Sequence, residues 1–151
     1  MAKIVNFRTG RVWHELHQAR EYFTSPILDL LPIGISVIAK SGLYVYVNQT
    51  HAEAFGYTPD ELALKKNLFE VSAKEDHHTT RASLEKTMDT GEACWIKKSW
   101  RHRNGYSVPG WVQCKKIEVA NITLMLGIVT YGDRFRPSGL DGIEKFNSRL
   151  V

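Results

Sequence analysis

The chain has 151 residues, 43% of them apolar, which suits one domain with a buried core. Its net charge of +4 is mildly basic, and the cations are scattered in pairs such as Lys65-Lys66, Lys97-Lys98 and Lys115-Lys116 without a recognised nucleic-acid-binding motif, so nucleic acid is not an expected partner. No apolar run approaches the roughly 18 residues a membrane span needs, residues 1–10 lack an apolar leader, and two cysteines are too few for a disulfide framework; the expectation is a cytoplasmic protein with Cys94 and Cys114 as buried thiols.

Residues 1–10 read as a lead-in. From Arg11 to Phe23 the spacing predicts a helix, with Val12, Leu16, Ala19 and Phe23 on one stripe and Trp13 and Tyr22 beside it. Ser25-Pro26 breaks that helix, and Pro26 can open a second short one through Leu31. Gly34–Ala39 and Leu43–Val47 read as strands of a hairpin turned at Ser41-Gly42. Asn48 stops the second strand and is a good N-cap, because its amide can accept from backbone N–H groups two or three residues on. Ala52 and Phe55 mark the apolar side of a short helix that Gly56 ends. Thr58, Pro59 and Glu61 then form a capping box for another.

Ala63 to Phe69 is expected to make a further short helical turn. Asp76 to Asp89 is the long helix, with Asp76 as a plausible cap, a rather polar inner stripe of Thr80, Leu84, Thr87 and Met88, and Thr90-Gly91 at its end. Glu92–Arg103 and Tyr106–Val119 read as strands around an Asn104-Gly105 turn, the second bent or bulged near Pro109-Gly110. After an Ala120-Asn121 turn, Ile122–Tyr131 is the last strand. It alternates Ile122, Leu124, Leu126 and Ile128 with Met125 and Val129. Both faces are apolar, so both need cover. The expectation is that the helices of the domain cover one face, and that the Val12–Phe23 helix, from this chain or a partner, covers the other, which carries Trp111, Met125 and Val129. Residues 134–151 read as a polar tail or linker.

The stretch Asn48, Phe55, Gly56, Tyr57, Glu61 and Leu62, following a strand, resembles the PAS domain, a small sensor module whose chains commonly show strand-Asn-x-x-x-x-x-x-Phe-Gly-Tyr-x-x-x-Glu-Leu. The resemblance runs from about Ile27 to Tyr131. It implies an α+β fold: an antiparallel five-stranded sheet with short helices on one face and an N-terminal flanking helix. The implied organisation is an extension over residues 1–24, a PAS domain over 25–133 and a tail over 134–151. Two departures stand out. Leu64-Lys65-Lys66 occupies the place of a common Gly-Lys pair, and Tyr131-Gly132-Asp133 that of an Asp-Ile-Thr-like signal leading to an effector.

No catalytic constellation is present, and Asp76, His77 and His78 read as a polar helix start, so the chain is not expected to be an enzyme. The resemblance implies a sensory or regulatory domain that binds a small ligand or a partner and dimerises to control an effector, such as a histidine kinase or a transcription regulator. Phe55, Tyr57, Phe69, Leu84, Cys114 and Leu126 are the candidate cavity lining. Haem-binding members use a histidine on the long helix, but that place falls at Thr80, and one residue along a helix turns a side chain by about 100°. His77 and His78 do not inherit the role. Photoreactive flavin members carry a cysteine where this chain has Asn67-Leu68-Phe69. Redox flavin members carry a tryptophan one place earlier than Trp95, and a one-residue slip turns a strand side chain to the other face. The cofactor is left open between a small organic ligand, haem, a flavin and none. The alternatives are a ligand-free protein–protein module and a haem- or flavin-binding redox or gas sensor. Homodimerisation is expected through Val12, Trp13, Leu16 and Phe23.

Overall fold

The structure, a computed structural model, describes residues 10–92 and 94–132; the expected tail over 134–151 lies outside them. Helix α1 (Arg11–Glu21) is followed by α2 (Pro26–Leu30), which Ser25 caps by accepting from Ile27 N–H. Strands β1 (Gly34–Ala39) and β2 (Tyr44–Val47) form the first hairpin. Two short helices come next, α3 (Gln49–Ala54) and α4 (Pro59–Leu62), the latter with the Thr58–Glu61 capping box in place. A 3-10 turn (Lys74–Asp76) leads into the long helix α5 (His77–Thr90). Strands β3 (Cys94–Arg101), β4 (Ser107–Val119) and β5 (Ile122–Tyr131) complete an antiparallel five-stranded sheet in the order β2-β1-β5-β4-β3. The first and last strands thus meet at its centre, where Gly34 lies opposite Val129 and Ala39 opposite Leu124.

The sheet separates two apolar clusters. On one face Ile38, Tyr44, Val112, Cys114, Met125 and Val129 pack with Phe55, Leu62, Leu68, Leu84 and Met88 from the helical side. On the other face Ile35, Val37, Val45 and Leu124 pack with Leu16 and Ala19 of α1, and Phe23 stacks on Tyr46 with centroids 5.7 Å apart. Helix α1 therefore does cover the outer face, and it does so within one chain.

The face assignment within β5 is the reverse of the sequence expectation. Met125 and Val129 point to the helical side, whereas Leu124, Leu126 and Ile128 join the cluster beneath α1. A strand apolar on both faces carries no internal sign of which face is which; pairing with β1 decides it. Gly127, opposite Ser36, shares the helical-side face of Met125 and Val129.

Three local expectations are also corrected. The segment 63–69 forms hydrogen-bonded turns, Lys66 N donating to Leu62 O at 3.0 Å, but no helix. Leu64 N donates to Tyr44 O and Leu68 N to Gly42 O, while Lys66 O accepts from Tyr44 N, so the segment occupies the open edge of β2. Edge strands need such cover. Leu64 takes φ +60° there, at the place where the resemblance leads one to expect glycine. Strand β4 pairs with β3 in unbroken register through Pro109-Gly110, so no bulge forms there. Asp76 does not cap α5 with its side chain; its Oδ2 accepts from Ser99 N at 2.7 Å and ties the helix start to β3. The expected dimer set is divided: Leu16 is buried in its own domain, whereas Val12 is 51% exposed.

Gly56 has φ +82°, the left-handed conformation that ends α3, and a Cβ on it would lie 2.6 Å from the His102 ring. Gly56→Val meets both the backbone penalty and the clash. It is expected to lower the unfolding free energy by about 2 kcal/mol, read by urea denaturation. A variant with the parent's midpoint would contradict the placement of this turn.

Candidate functional site

Between the helical-side face of the sheet and α5 lies a small cavity with a free interior of about 30 Å³. Its walls are mostly apolar: Ile38, Leu68, Leu84, Ile96, Val112, Met125 and Val129. Into this setting the chain places a few polar groups: Ser36 of β1, His51 of α3, Thr80 and Ser83 of α5, and Lys98 of β3.

His51 is held by its helix. Asn48 caps α3 by accepting from His51 N, and one turn on, Phe55 packs edge-to-face against the imidazole with centroids 4.8 Å apart. The ring is 1% exposed. Its Nδ1 pairs with the Tyr131 hydroxyl at 2.8 Å, while Nε2 has no partner. Gly34 makes room for this pair, since a Cβ there would lie 2.8 Å from His51 Nδ1 and closer still to the Tyr131 hydroxyl. Burial, assisted by the Lys98 charge, lowers the imidazole pKa to about 3, so the ring is neutral at pH 7. Burial raises the Tyr44 and Tyr131 hydroxyls far above their ordinary range, so both stay protonated.

Lys98 shares a strand face with Ile96 and Trp100, because residues two apart on a strand point the same way. It is 6% exposed; Nζ donates to Ser72 Oγ at 2.7 Å and lies 5.0 Å from the Trp100 ring centroid. Ser72 in turn donates to Leu68 O at 2.7 Å. Burial brings the Lys98 pKa down to about 8, partly opposed by Cys114 and Asp76. Thr80 Oγ1, buried on the long helix, has no partner.

Of the six sequence candidates, Leu84 and Cys114 line the cavity. Phe55 is fully buried behind it, stacked on Trp100 with centroids 5.5 Å apart. Tyr57 packs at the margin of that core beneath Arg103. Phe69 lies against Arg81 and His77, beside a separate surface depression. Leu126 is on the opposite face of the sheet, a correction that follows from the reversed faces of β5. The sequence reading passed over His51 and Lys98. The signals were present: His51 stands four residues before Phe55 on a helix, and Ile96-x-Lys98-x-Trp100 sets a lysine between two apolar neighbours on one strand face.

Drug-sized ligands occupy pockets of about 300–1,000 Å³. As packed, this cavity has room for an ordered water or a compact molecule and does not fit haem or a flavin. The long-helix residue at the place of the haem ligand is Thr80, a hydroxyl. His77 is engaged outside the cavity, with Nε2 3.2 Å from Ser72 O, and His78 is exposed. Trp95 pairs with Gln113 and faces away from the cavity, on the side opposite Ile96. Among the described residues, no group of three or more His, Cys, Asp or Glu is placed to hold a metal ion.

A family model described as the PAS fold matches residues 22–119. The chain belongs to the PAS family. Solved PAS domains share its architecture. One from Desulfitobacterium hafniense is 17% identical, with a TM-score of 0.63, and covers 72% of this chain and 100% of its own. A domain of a sensory box sensor histidine kinase/response regulator from Geobacter sulfurreducens is 25% identical, with a TM-score of 0.58, covering 74% and 92%. The PAS domain of nitrogen regulation protein NR(II) from Vibrio parahaemolyticus is 13% identical, with a TM-score of 0.61, covering 72% and 100%. No curated protein matches the chain. Among the described residues of this PAS domain, no helix is long and apolar enough to cross a membrane. PAS domains are generally sensory modules rather than catalysts.

Proposed function

We propose that this PAS domain is a ligand-responsive sensor in the cytoplasm that acts, as a homodimer, on a signalling effector such as a histidine kinase or a transcription regulator. The observation that carries this reading is the cavity beneath α5, where unpartnered buried polar atoms, His51 Nε2 and Thr80 Oγ1, stand in an otherwise apolar wall. A cavity kept only for packing would be dry and apolar, because an unpaired buried polar group costs about 1–3 kcal/mol. A small ligand or an ordered water that pairs with these atoms removes that cost. The helical side of the cavity is formed largely by α5, so occupancy acts on its packing.

A second reading, a ligand-free protein–protein module, rests on a different observation. Four of the five large apolar side chains exposed among the described residues lie on or beside the first two helices: Val12, Tyr22, Ile27 and Leu30. These residues also support dimerisation through the N-terminal region. Native mass spectrometry of the purified chain, with an NMR titration of the cavity amides beside it, tests both readings. A dimer carrying added small-molecule mass is the expected result. A bare dimer whose cavity amides are unmoved by any compact solute would favour the interaction module, and a monomer at working concentration would remove the dimer.

A further inference from the structure

Lys98 is unusual among the cations of this chain. The salt-bridged cations of the described residues are surface groups such as Arg11, Arg20 and Arg103, each beside a carboxylate. Lys98 is buried; it donates to a neutral hydroxyl, that of Ser72, and lies over the face of Trp100. The carboxylate whose field reaches it, Asp76, is committed to the Ser99 amide. A buried ammonium is costly unless it is paired and hydrogen-bonded. The same cavity offers Thr80 Oγ1 and His51 Nε2, both buried and unpartnered. One cation and one neutral imidazole stand with the hydroxyls of Ser36, Thr80 and Ser83 in a chamber whose walls are mostly apolar.

From this arrangement we infer that the cavity takes a compact monocarboxylate, its charge set against Lys98, its oxygens hydrogen-bonded by Thr80 and His51, and its short apolar body among Ile38, Leu84 and Val112. The inference rests on the reading of this cavity as the sensing site and names the ligand class. A single cation matches a single negative charge; a phosphate would bring nearly two and little apolar surface. The small interior limits the body to a few carbons. His51 in its neutral form can carry the proton on Nε2 and donate it, with Nδ1 accepting from the Tyr131 hydroxyl.

The test is a titration of the full chain, at constant ionic strength in chloride, with acetate, propionate and butyrate, and with the amide and alcohol of each length. Thermal midpoint and backbone amide shifts of the cavity strands are followed together. At least one carboxylate is expected to bind about tenfold more tightly than its amide. Lys98→Met, which keeps the volume and removes the charge, is expected to abolish that preference, whereas Lys115→Met on the opposite face of the sheet retains it. Thr80→Val is expected to weaken carboxylate binding several-fold in a chain that still folds. Equal affinity for carboxylate and amide, or a preference that survives Lys98→Met, overturns the inference while leaving the cavity a sensing site. A series in which no solute, charged or neutral, moves the cavity amides overturns both.

Discussion

Replacing Asn48 by aspartate, which alters one atom of the side chain, is expected to lower the unfolding free energy by about 3–5 kcal/mol at pH 7. Asn48 is wholly buried and uses its full amide capacity. Oδ1 accepts from Ile35 N at 2.8 Å and from His51 N at 3.1 Å; Nδ2 donates to Leu28 O at 2.8 Å and Ile33 O at 3.0 Å. An aspartate keeps the two acceptor bonds but turns a bare oxygen toward two carbonyls. Ionised, it buries an unpaired charge against like dipoles; protonated, it satisfies one carbonyl of two. Because domains of this size are stable by only about 5–15 kcal/mol, a large fraction of the total is at stake. Chemical denaturation at pH 7 and pH 5 checks it. The deficit should shrink at the lower pH, where the carboxyl is protonated more readily. An aspartate variant as stable as the parent would show that Asn48 is only a helix cap.

The second large effect is acid sensitivity through His51. In the unfolded chain its imidazole has an ordinary pKa near 6.5, and in the fold about 3. The folded-state value is depressed, so between these limits the unfolded state binds the proton and the native state does not. The stabilisation is complete above pH 6.5 and is lost as pH falls toward 3. The slope is about 1.4 kcal/mol per pH unit, reaching about 4 kcal/mol. The groups facing the ring, Tyr44, Tyr131, Trp100 and the Lys98 ammonium, supply no carboxylate to hold an imidazolium. The measurement is unfolding free energy against pH for the parent and for His51→Gln, which cannot titrate. The curves should diverge below pH 6.5, with the parent falling faster. Parallel curves would mean that His51 is accessible to protonation in the folded state.

Much of this fold was legible because its punctuation is chemical. Gly34–Ala39 was read with the bounds it has, and the Thr58 capping box and the Gly56 turn stand where glycine, proline and short polar side chains dictate. What the sequence left open depended on contacts between distant elements. Asn48 was recognised for the bond it makes three residues away, but its bonds to Leu28, Ile33 and Ile35 require the first hairpin and α2 to be in place. The faces of β5 could not be told apart while both were apolar. Lys98 stands among the scattered basic pairs because Lys97 precedes it; on a strand, neighbours point opposite ways, and only the pairing with β4 shows which of the two is inside. The homodimer expectation used residues of α1 that divide between the domain's own core and its surface, and amphipathic spacing alone does not distinguish a helix covering its own sheet from one covering a neighbour's.

The pair formed by His51 and Tyr131 joins two places that are 80 positions apart in sequence. A neutral imidazole has a single ring proton, so whatever one nitrogen does, the other must do the opposite. If a molecule in the cavity donates to Nε2, the proton resides on Nδ1 and the ring donates to the Tyr131 oxygen. If it accepts from Nε2, Nδ1 is bare and the tyrosine must turn its own proton toward the ring. The polarity of a guest in the interior would thereby be written as the direction of a hydroxyl on the last residue of β5, the strand by which the chain leaves the sheet. This message needs no displacement of the backbone, and an infrared or NMR probe of the tyrosine hydroxyl would read it directly.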